Sequence, residues 1–369
     1  MGCIPEPGGP LVEALDVSVF VIPTEGKESD GTFEWEKTTL VLVEARAAGK
    51  TGLGYTYANK ATGAMIKEDL EEVVDGHDVM DVPGAYARML HRIRNMGRPG
   101  ISAMAISAVD SALWDLKARV LDLSLAALLG RQRNEAAVYG SGGFTSYSEE
   151  RLCEQLGGWV AQGIERVKMK VGRDPSADLA RVRAVRQAIG EHAQLFVDAN
   201  GAYDRKQALA FAERYHELGV KWFEEPVSSD DLAGLRLLRD RGPGDMQIAA
   251  GEYGYDTFYF ERMLAERAVD TLQADMTRCG GVTGFLEVGA LCRAHAIELS
   301  GHCAPALHAH VGCAAANFVH LEYFHDHARI EHMLFDGVLS PRGGALVPDL
   351  SRPGIGLELK RADAKKFAA

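Results

Sequence analysis

The chain has 369 residues, 47% of them hydrophobic and 25% charged, with a formal net charge of -12. These are the proportions of a soluble globular protein, long enough for one large domain or two ordinary ones. The acidic balance leaves no basic stripe to neutralise phosphates, which argues against nucleic acid as a partner, and no apolar run nears the roughly 20 residues of a membrane span.

At the N-terminus, MGCIPEPGGP has neither the basic start nor the apolar core of a secretory signal, and Glu6 stands where a myristoylation pattern needs Ser or Thr. The six cysteines, Cys3, Cys153, Cys279, Cys292, Cys303 and Cys313, include no CxxC pair. In a chain of this length they read as free thiols of a reducing compartment, and the expected location is cytoplasmic.

LVEALDVSVF (residues 11 to 20) alternates enough to predict a strand, and residues 38 to 57 predict two strands joined by a turn near Gly49. The polar stretch VIPTEGKESDGTFEWEK between them reads as a loop. A long helix is predicted over SAMAISAVDSALWDLKARVLDLSLAALLG, where Ile106, Val109, Leu113, Leu116 and Val120 recur every three to four positions and Gly130 marks the end. Residues 1 to 135 are therefore expected to form an α+β unit.

From residue 136 the rhythm changes. Eight short apolar runs, VYGSG, RVKMKVG, QLFVDAN, VKWFEEP, QIAAGE, TLQAD, IELSGH and FVHLEY, alternate with amphipathic stretches such as SADLARVRAVRQAIGE and RKQALAFAERYHELG. Strands alternating with helices predict a parallel sheet, and eight units over 136 to 335 predict a (β/α)8-type barrel, with a doubly wound sheet as the alternative. Residues 336 to 369 hold turn signals, the short strand IGLEL and a charged tail, expected to pack back on the first unit.

Ionisable residues recur at the ends of these runs: Lys170, Asp198, Glu224, Glu252, Asp275, His302 and Glu322, spaced by 20 to 28 residues, about one βα unit each. In a βα barrel these ends meet at one mouth, where active sites lie. A lone Asp after a strand is usually a helix cap; seven such residues in register are hard to explain so. Asp198, Glu224 and Glu252 would repel one another unless a hard cation joined them, and an all-oxygen set points to Mg2+ with positions left for water and substrate. Lys168 and Lys170 share a strand face. The bland reading is an edge strand with both ammonium groups in water. In a barrel mouth, each instead raises the cost of charging the other, so that Lys170 can act as a base near neutral pH. His302 can pair with Asp275 from the neighbouring strand, which fixes its tautomer.

These residues carry a resemblance that runs nearly end to end. The helix AISAVDSALWDLKARVLDLSLAALLG, the KxK of VKMKV, the carboxylates of DAN, EEP and GE, QADMTRCGG, the His of SGH and the tail PGIGLEL are similar to the mandelate racemase subgroup of the enolase superfamily. The resemblance implies a capping domain on a modified barrel, and a small carboxylate substrate with an α-proton. Magnesium would be held by Asp198, Glu224 and Glu252, with Lys170 and His302 on opposite faces of the substrate. It further implies that Lys168 tunes Lys170 and touches the substrate carboxylate, and that a protonated Glu322 donates a hydrogen bond to it. Asn200 is expected to contact substrate. Tyr55, with Tyr57 in GLGYTY, is read equally as core or as a substrate contact. A homo-oligomer with an even number of subunits is implied on the same ground.

Two reactions fit the opposed acid–base groups: dehydration of a hydroxylated sugar acid to a 2-keto-3-deoxy acid, which the make-up of the subgroup favours, and racemisation, epimerisation or cycloisomerisation of a similar acid. A metallohydrolase on the same barrel would need an HxH pair on the first barrel strand, which VYGSGG lacks. HCAPALHAH is not taken as a zinc cluster: His308 and His310 fall in the following helix and are expected to be packed or on the surface.

Overall fold

The computed structural model describes residues 8–369. The N-terminal heptapeptide, with Gly2, Cys3 and Glu6 of the targeting argument, lies outside the described residues. Among the described residues, Cys153, Cys279, Cys292, Cys303 and Cys313 are free, and no helix is long and apolar enough to cross a membrane.

The N-terminal unit begins with an antiparallel sheet of β1 (Ala14–Ser29), β2 (Glu34–Ala47) and β3 (Lys50–Tyr57). Here one expectation is corrected. The supposed loop of residues 21 to 37 is mostly strand, a long hairpin with a register shift between Pro23 and Glu28 and a turn at residues 30 to 33. Its polar residues hid the alternation because several of them are not solvated. Glu28, Ser29 and Asp30 are buried against the barrel, where Ser29 Oγ meets Thr145 Oγ1 at 2.6 Å. At the hairpin tip, a Cβ on Gly31 would lie 2.3 Å from the carbonyl oxygen of Ala199, so the hairpin rests directly on a barrel loop.

The long helix is also shorter than expected. It runs from Ile101 to Val120, and the chain breaks at Asp122, which has φ of 54°, before a short helix Leu125–Leu128. This helix forms the seam of the molecule. Gly54 of β3 packs straight onto its backbone, since an added Cβ would meet the Ala108 carbonyl oxygen at 2.2 Å. Asp115, fully buried, accepts from Leu53 N at 2.7 Å, from Arg119 Nε at 2.7 Å and from Ile355 N at 2.5 Å, tying sheet, helix and C-terminal segment together. On the barrel side Asp110 accepts from Thr283 Oγ1 at 2.6 Å.

Eight parallel strands close the barrel: β4 (Ala136–Ser141), β5 (Arg166–Lys170), β6 (Gln194–Asp198), β7 (Val220–Glu224), β8 (Gln247–Ala250), β9 (Thr271–Ala274), β10 (Glu298–Gly301) and β11 (Phe318–Phe324). They pair in order, and β11 returns to β4. The doubly wound alternative is thereby excluded. Helices such as Pro175–Ile189, which starts with Pro at its first turn and an Asp174 cap, cover the outside with Val182, Val185 and Ile189 turned inward. Inside, Tyr139, Phe196, Trp222 and Ala249 form a separate apolar plug beneath the mouth. Beyond the barrel, the short strand expected over IGLEL is only Glu358–Leu359, paired with Phe335–Asp336, and Arg361 reaches Glu44 of β2 at 2.6 Å.

Candidate active site

Strand register sets the level of the polar groups. Lys170 of β5 lies beside Asp198 of β6, and Asp198 beside Glu224 of β7. Glu252, Asp275 and His302 follow within two residues of the ends of β8, β9 and β10, and Glu322 lies within β11. All seven are buried, as is Lys168, one layer deeper and 5.3 Å above the Tyr139 ring. Lys170, Glu252, His302 and Glu322 border a cavity of about 570 Å³ whose other wall is the N-terminal hairpin and sheet, through Asp30, Trp35, Thr38 and Tyr57.

Asp198, Glu224 and Glu252 converge, with one oxygen from each lying within 4.8 Å of the others. Trp222 Nε1 donates to Glu224 Oε2 at 2.8 Å, and the backbone of Asn200 donates to Asp198 Oδ1 at 2.9 Å, which orients both carboxylates. Glu252 Oε2 is buried without a hydrogen bond. Three buried carboxylates, all-oxygen, with an orphaned acceptor among them, fit a hard divalent cation. Burial and Asp198 together push the Glu224 carboxyl up to about 8 against the pull of Lys168, a measure of the repulsion in the trio.

On the β5 side, Lys168 pairs with Glu224, with Glu322 Oε1 at 2.8 Å and with Asp198 at 3.3 Å. Lys170 Nζ pairs with Asp198 Oδ2 at 2.5 Å. This pair with one of the three converging carboxylates sets the electrostatics of Lys170. Burial does disfavour its charge and Lys168 adds to that, but the direct pair with Asp198 outweighs both, so the ammonium is held above its ordinary range. Glu322 is governed by its neighbours as well. Burial favours its neutral form, yet Lys168 and His302 overcome this and hold it ionised. Its carboxylate accepts from Ser141 Oγ at 2.5 Å and from Cys303 N at 3.2 Å.

Across the mouth, His302 Nδ1 meets Asp275 Oδ2 at 2.9 Å. Thr277 fixes the other Asp275 oxygen through its N–H and its hydroxyl, both at 2.7 Å. Nε2 of His302 faces the cavity, 3.3 Å from Glu252 Oε2. Burial lowers the basicity of His302, but the surrounding Cys303, Glu252, Glu322 and Asp275 raise it well above its usual value.

Asn200 lines the cavity, with φ of 46° and a buried Oδ1 that has no partner. Tyr55 does not line it, and the expectation of a substrate contact there is corrected. The ring is fully buried, stacked on Phe335, and its hydroxyl donates to Glu331 Oε1 at 2.6 Å. Tyr57, two residues further along β3, is the one of this pair that lines the cavity, stacked on His327 with ring centroids 3.4 Å apart. Tyr55→Phe is therefore expected to cost about 1–3 kcal/mol of stability by leaving Glu331 short of a buried partner, with KM unchanged, as denaturant titration and steady-state kinetics would show. Burial also raises Glu331 from 4.5 to about 8, opposed by Tyr55. The folded state thus keeps this proton to higher pH than the unfolded state. Its stabilising effect is full below about pH 4.5 and is lost as pH rises through about 8. Glu331→Gln should flatten the fall in Tm across that window.

Sequence reasoning passed over Cys303, Arg278, Tyr253 and His327, which all line the cavity. Arg278 Nη1 donates to the Glu252 carbonyl at 3.0 Å. His308 and His310 are buried in the helix Pro305–Ala314; His308 Nε2 accepts from Met276 N at 3.0 Å, so it braces the β9 loop.

Comparison with known proteins places the chain in a family. Residues 27–130 match the mandelate racemase / muconate lactonizing enzyme N-terminal domain, and residues 151–364 match the enolase C-terminal domain-like family. The chain belongs to the mandelate racemase / muconate lactonizing enzyme group of the enolase superfamily. It is 32% identical to the L-talarate/galactarate dehydratase of Salmonella typhimurium LT2 over 95% of this chain and 89% of that protein. Identity to the 3,6-anhydro-alpha-L-galactonate cycloisomerase of Streptomyces coelicolor is 31%, over 95% and 97%. Among solved structures, a mandelate racemase/muconate lactonizing enzyme-like protein from Rubrobacter xylanophilus shares 58% identity with a TM-score of 0.96, covering 98% of this chain and 100% of that one. The Salmonella dehydratase, liganded with Mg and L-lyxarohydroxamate, has 29% identity and a TM-score of 0.89 over 98% and 94%.

Proposed function

We propose that this protein is a magnesium-dependent dehydratase of hydroxylated sugar acids, forming 2-keto-3-deoxy acids. The observation that carries the reading is the convergence of Asp198, Glu224 and Glu252 between Lys170 of β5 and the Asp275-backed imidazole of His302 after β10. Magnesium held by the three carboxylates would supply positive charge against the negative charge that develops on the substrate carboxylate when the α-proton leaves. Lys170 takes that proton in its neutral form, which a cation on Asp198 would favour by drawing that carboxylate away from the ammonium, and His302, through Nε2, gives one to the departing β-hydroxyl. Asp275 holds Nδ1 and thereby keeps Nε2 aimed at the cavity. Lys168, fixed by Glu224 and Glu322, sets the charge around Lys170, and the free Oδ1 of Asn200 is available to a substrate hydroxyl. The N-terminal hairpin forms one wall of the cavity through Asp30, Phe33 and Trp35.

A second reading, isomerisation or cycloisomerisation of a similar acid, is supported by the likeness to the Streptomyces cycloisomerase, and the same two proton-transfer groups would serve it. A screen of aldonic and aldaric acids for 2-keto acid formation separates the two readings. Keto acid from at least one acid is the expected result; stereoisomers or lactone conversion without keto acid would replace the dehydratase reading. We also propose an even-numbered homo-oligomer, on family grounds, and light scattering at micromolar concentration is expected to give twice the 40.0 kDa chain mass or a higher even multiple. A monomer would remove that proposal.

A further inference from the structure

Beside the carboxylate trio the cavity holds a second cluster of different chemistry. Cys303 Sγ lies 3.3 Å from His302 Nε2 and 3.4 Å from Glu322 Oε2, and Nε2 and Oε2 are 3.5 Å apart. All three residues are buried, and all three line the cavity. These separations are within about 0.2 Å of one face of a tetrahedral zinc site. With metal–sulfur bonds of about 2.3 Å and metal–nitrogen or –oxygen bonds of about 2.0–2.2 Å, ligand atoms stand about 3.5–3.7 Å apart where sulfur is one of them and about 3.3–3.5 Å apart otherwise.

The surroundings match as well. His302 uses Nδ1 on Asp275, which leaves Nε2 turned to the cavity, where a metal ion would take the place of its proton, the usual arrangement of a metal-bound histidine backed by a carboxylate. Oε1 of Glu322 is occupied by Ser141 and Lys168, while Oε2 faces the thiol. The backbone holds Cys303 at φ of 54° and Ala304 at 38°, a conformation that directs the thiol between the two partners. Glu252 Oε2, buried and without a hydrogen bond, lies 3.3 Å from His302 Nε2, where this trio adjoins the carboxylate trio. The carboxylate trio offers oxygen alone, whereas this trio offers sulfur, nitrogen and oxygen, which favour a softer ion.

We propose that His302, Cys303 and Glu322 form a second metal site in the cavity, selective for a thiophilic divalent ion such as zinc, with its fourth position open to the cavity. An ion there would occupy the Nε2 lone pair and so silence His302, making the site inhibitory; that consequence rests on the proposed function, but ligation of the ion does not.

The test uses the full chain with excess magnesium and cobalt(II) as a spectroscopic stand-in for zinc. One added equivalent of cobalt per chain is expected, with an intense near-ultraviolet thiolate-to-cobalt band that zinc abolishes and that Cys303→Ser lacks. A crystal of the wild-type protein soaked in zinc should show an anomalous peak bonded to Nε2, Sγ and Oε2, a result that needs no variant to fold. Absence of the band together with an anomalous peak only among the three carboxylates would overturn the site. So would a band that survives Cys303→Ser, since another cysteine would then be the ligand. Both readouts report ligation, so they hold even if no sugar acid is turned over.

Discussion

Lys170→Ala is expected to lower turnover of a sugar-acid substrate by about 10²–10⁴-fold, the usual cost of losing a general acid or base. His302→Asn is expected to cost a similar factor, but the two variants should differ in heavy water. Without Lys170 the α-proton should be neither exchanged nor lost. Without His302 it should still exchange for deuterium while little keto acid forms, because the β-hydroxyl then departs without a proton. The geometry behind this is the separation of the two groups on β5 and β10, with the carboxylate trio between them. Wild-type rates of dehydration in both variants would contradict the assignment. If the roles of the two variants were exchanged, His302 would be the residue that removes the α-proton.

The second large effect concerns the carboxylates. Exhaustive chelation is expected to abolish activity and added magnesium to restore it. Binding of magnesium should also stabilise the fold, because it relieves the repulsion that raises Glu224. At a magnesium concentration about 100 times the dissociation constant, the gain is about 2.7 kcal/mol. Glu252→Gln should remove both responses, since it deletes the charge of the carboxylate whose Oε2 lacks a hydrogen bond. Calorimetry and thermal melts read this without any substrate. A chelated protein that kept full activity, or a Tm indifferent to magnesium, would contradict the metal reading.

The candidate site was legible where chemistry and strand period coincide. Lys170, Asp198, Glu224, Glu252, Asp275, His302 and Glu322 stand out because ionisable groups at the ends of apolar runs are costly unless they meet. What one strand does to a group is readable from its own residues; what the neighbouring strand does is not. The Lys168–Lys170 spacing correctly places two ammonium groups on one face, yet their charge is governed by Asp198, Glu224 and Glu322, which come from other strands. Tyr55 and Tyr57 share a face of β3 by the same period, so alternation does not separate them. Depth along the strand does, through Phe335 and Glu331 over one ring and His327 over the other. The hairpin of β1 and β2 looks like a loop in the sequence because buried polar side chains break its apolar alternation: Glu28 accepts from Trp35 Nε1 at 2.9 Å, and Asp30 lines the cavity. Cys303 gives no signal at all: a lone thiol after a histidine is ordinary until Glu322 is placed beside it.

The most direct measurement follows the α-proton itself. Wild-type protein with magnesium is incubated in heavy water with a panel of aldonic and aldaric acids and monitored by proton NMR. The expected result is loss of the C2 proton signal of at least one acid, coupled to a 2-keto-3-deoxy product that carries solvent deuterium at C3. Deuterium at C2 of a recovered stereoisomer would keep proton abstraction and replace dehydration by isomerisation. A magnesium-loaded protein that leaves the C2 proton of every acid in the panel untouched would contradict the account.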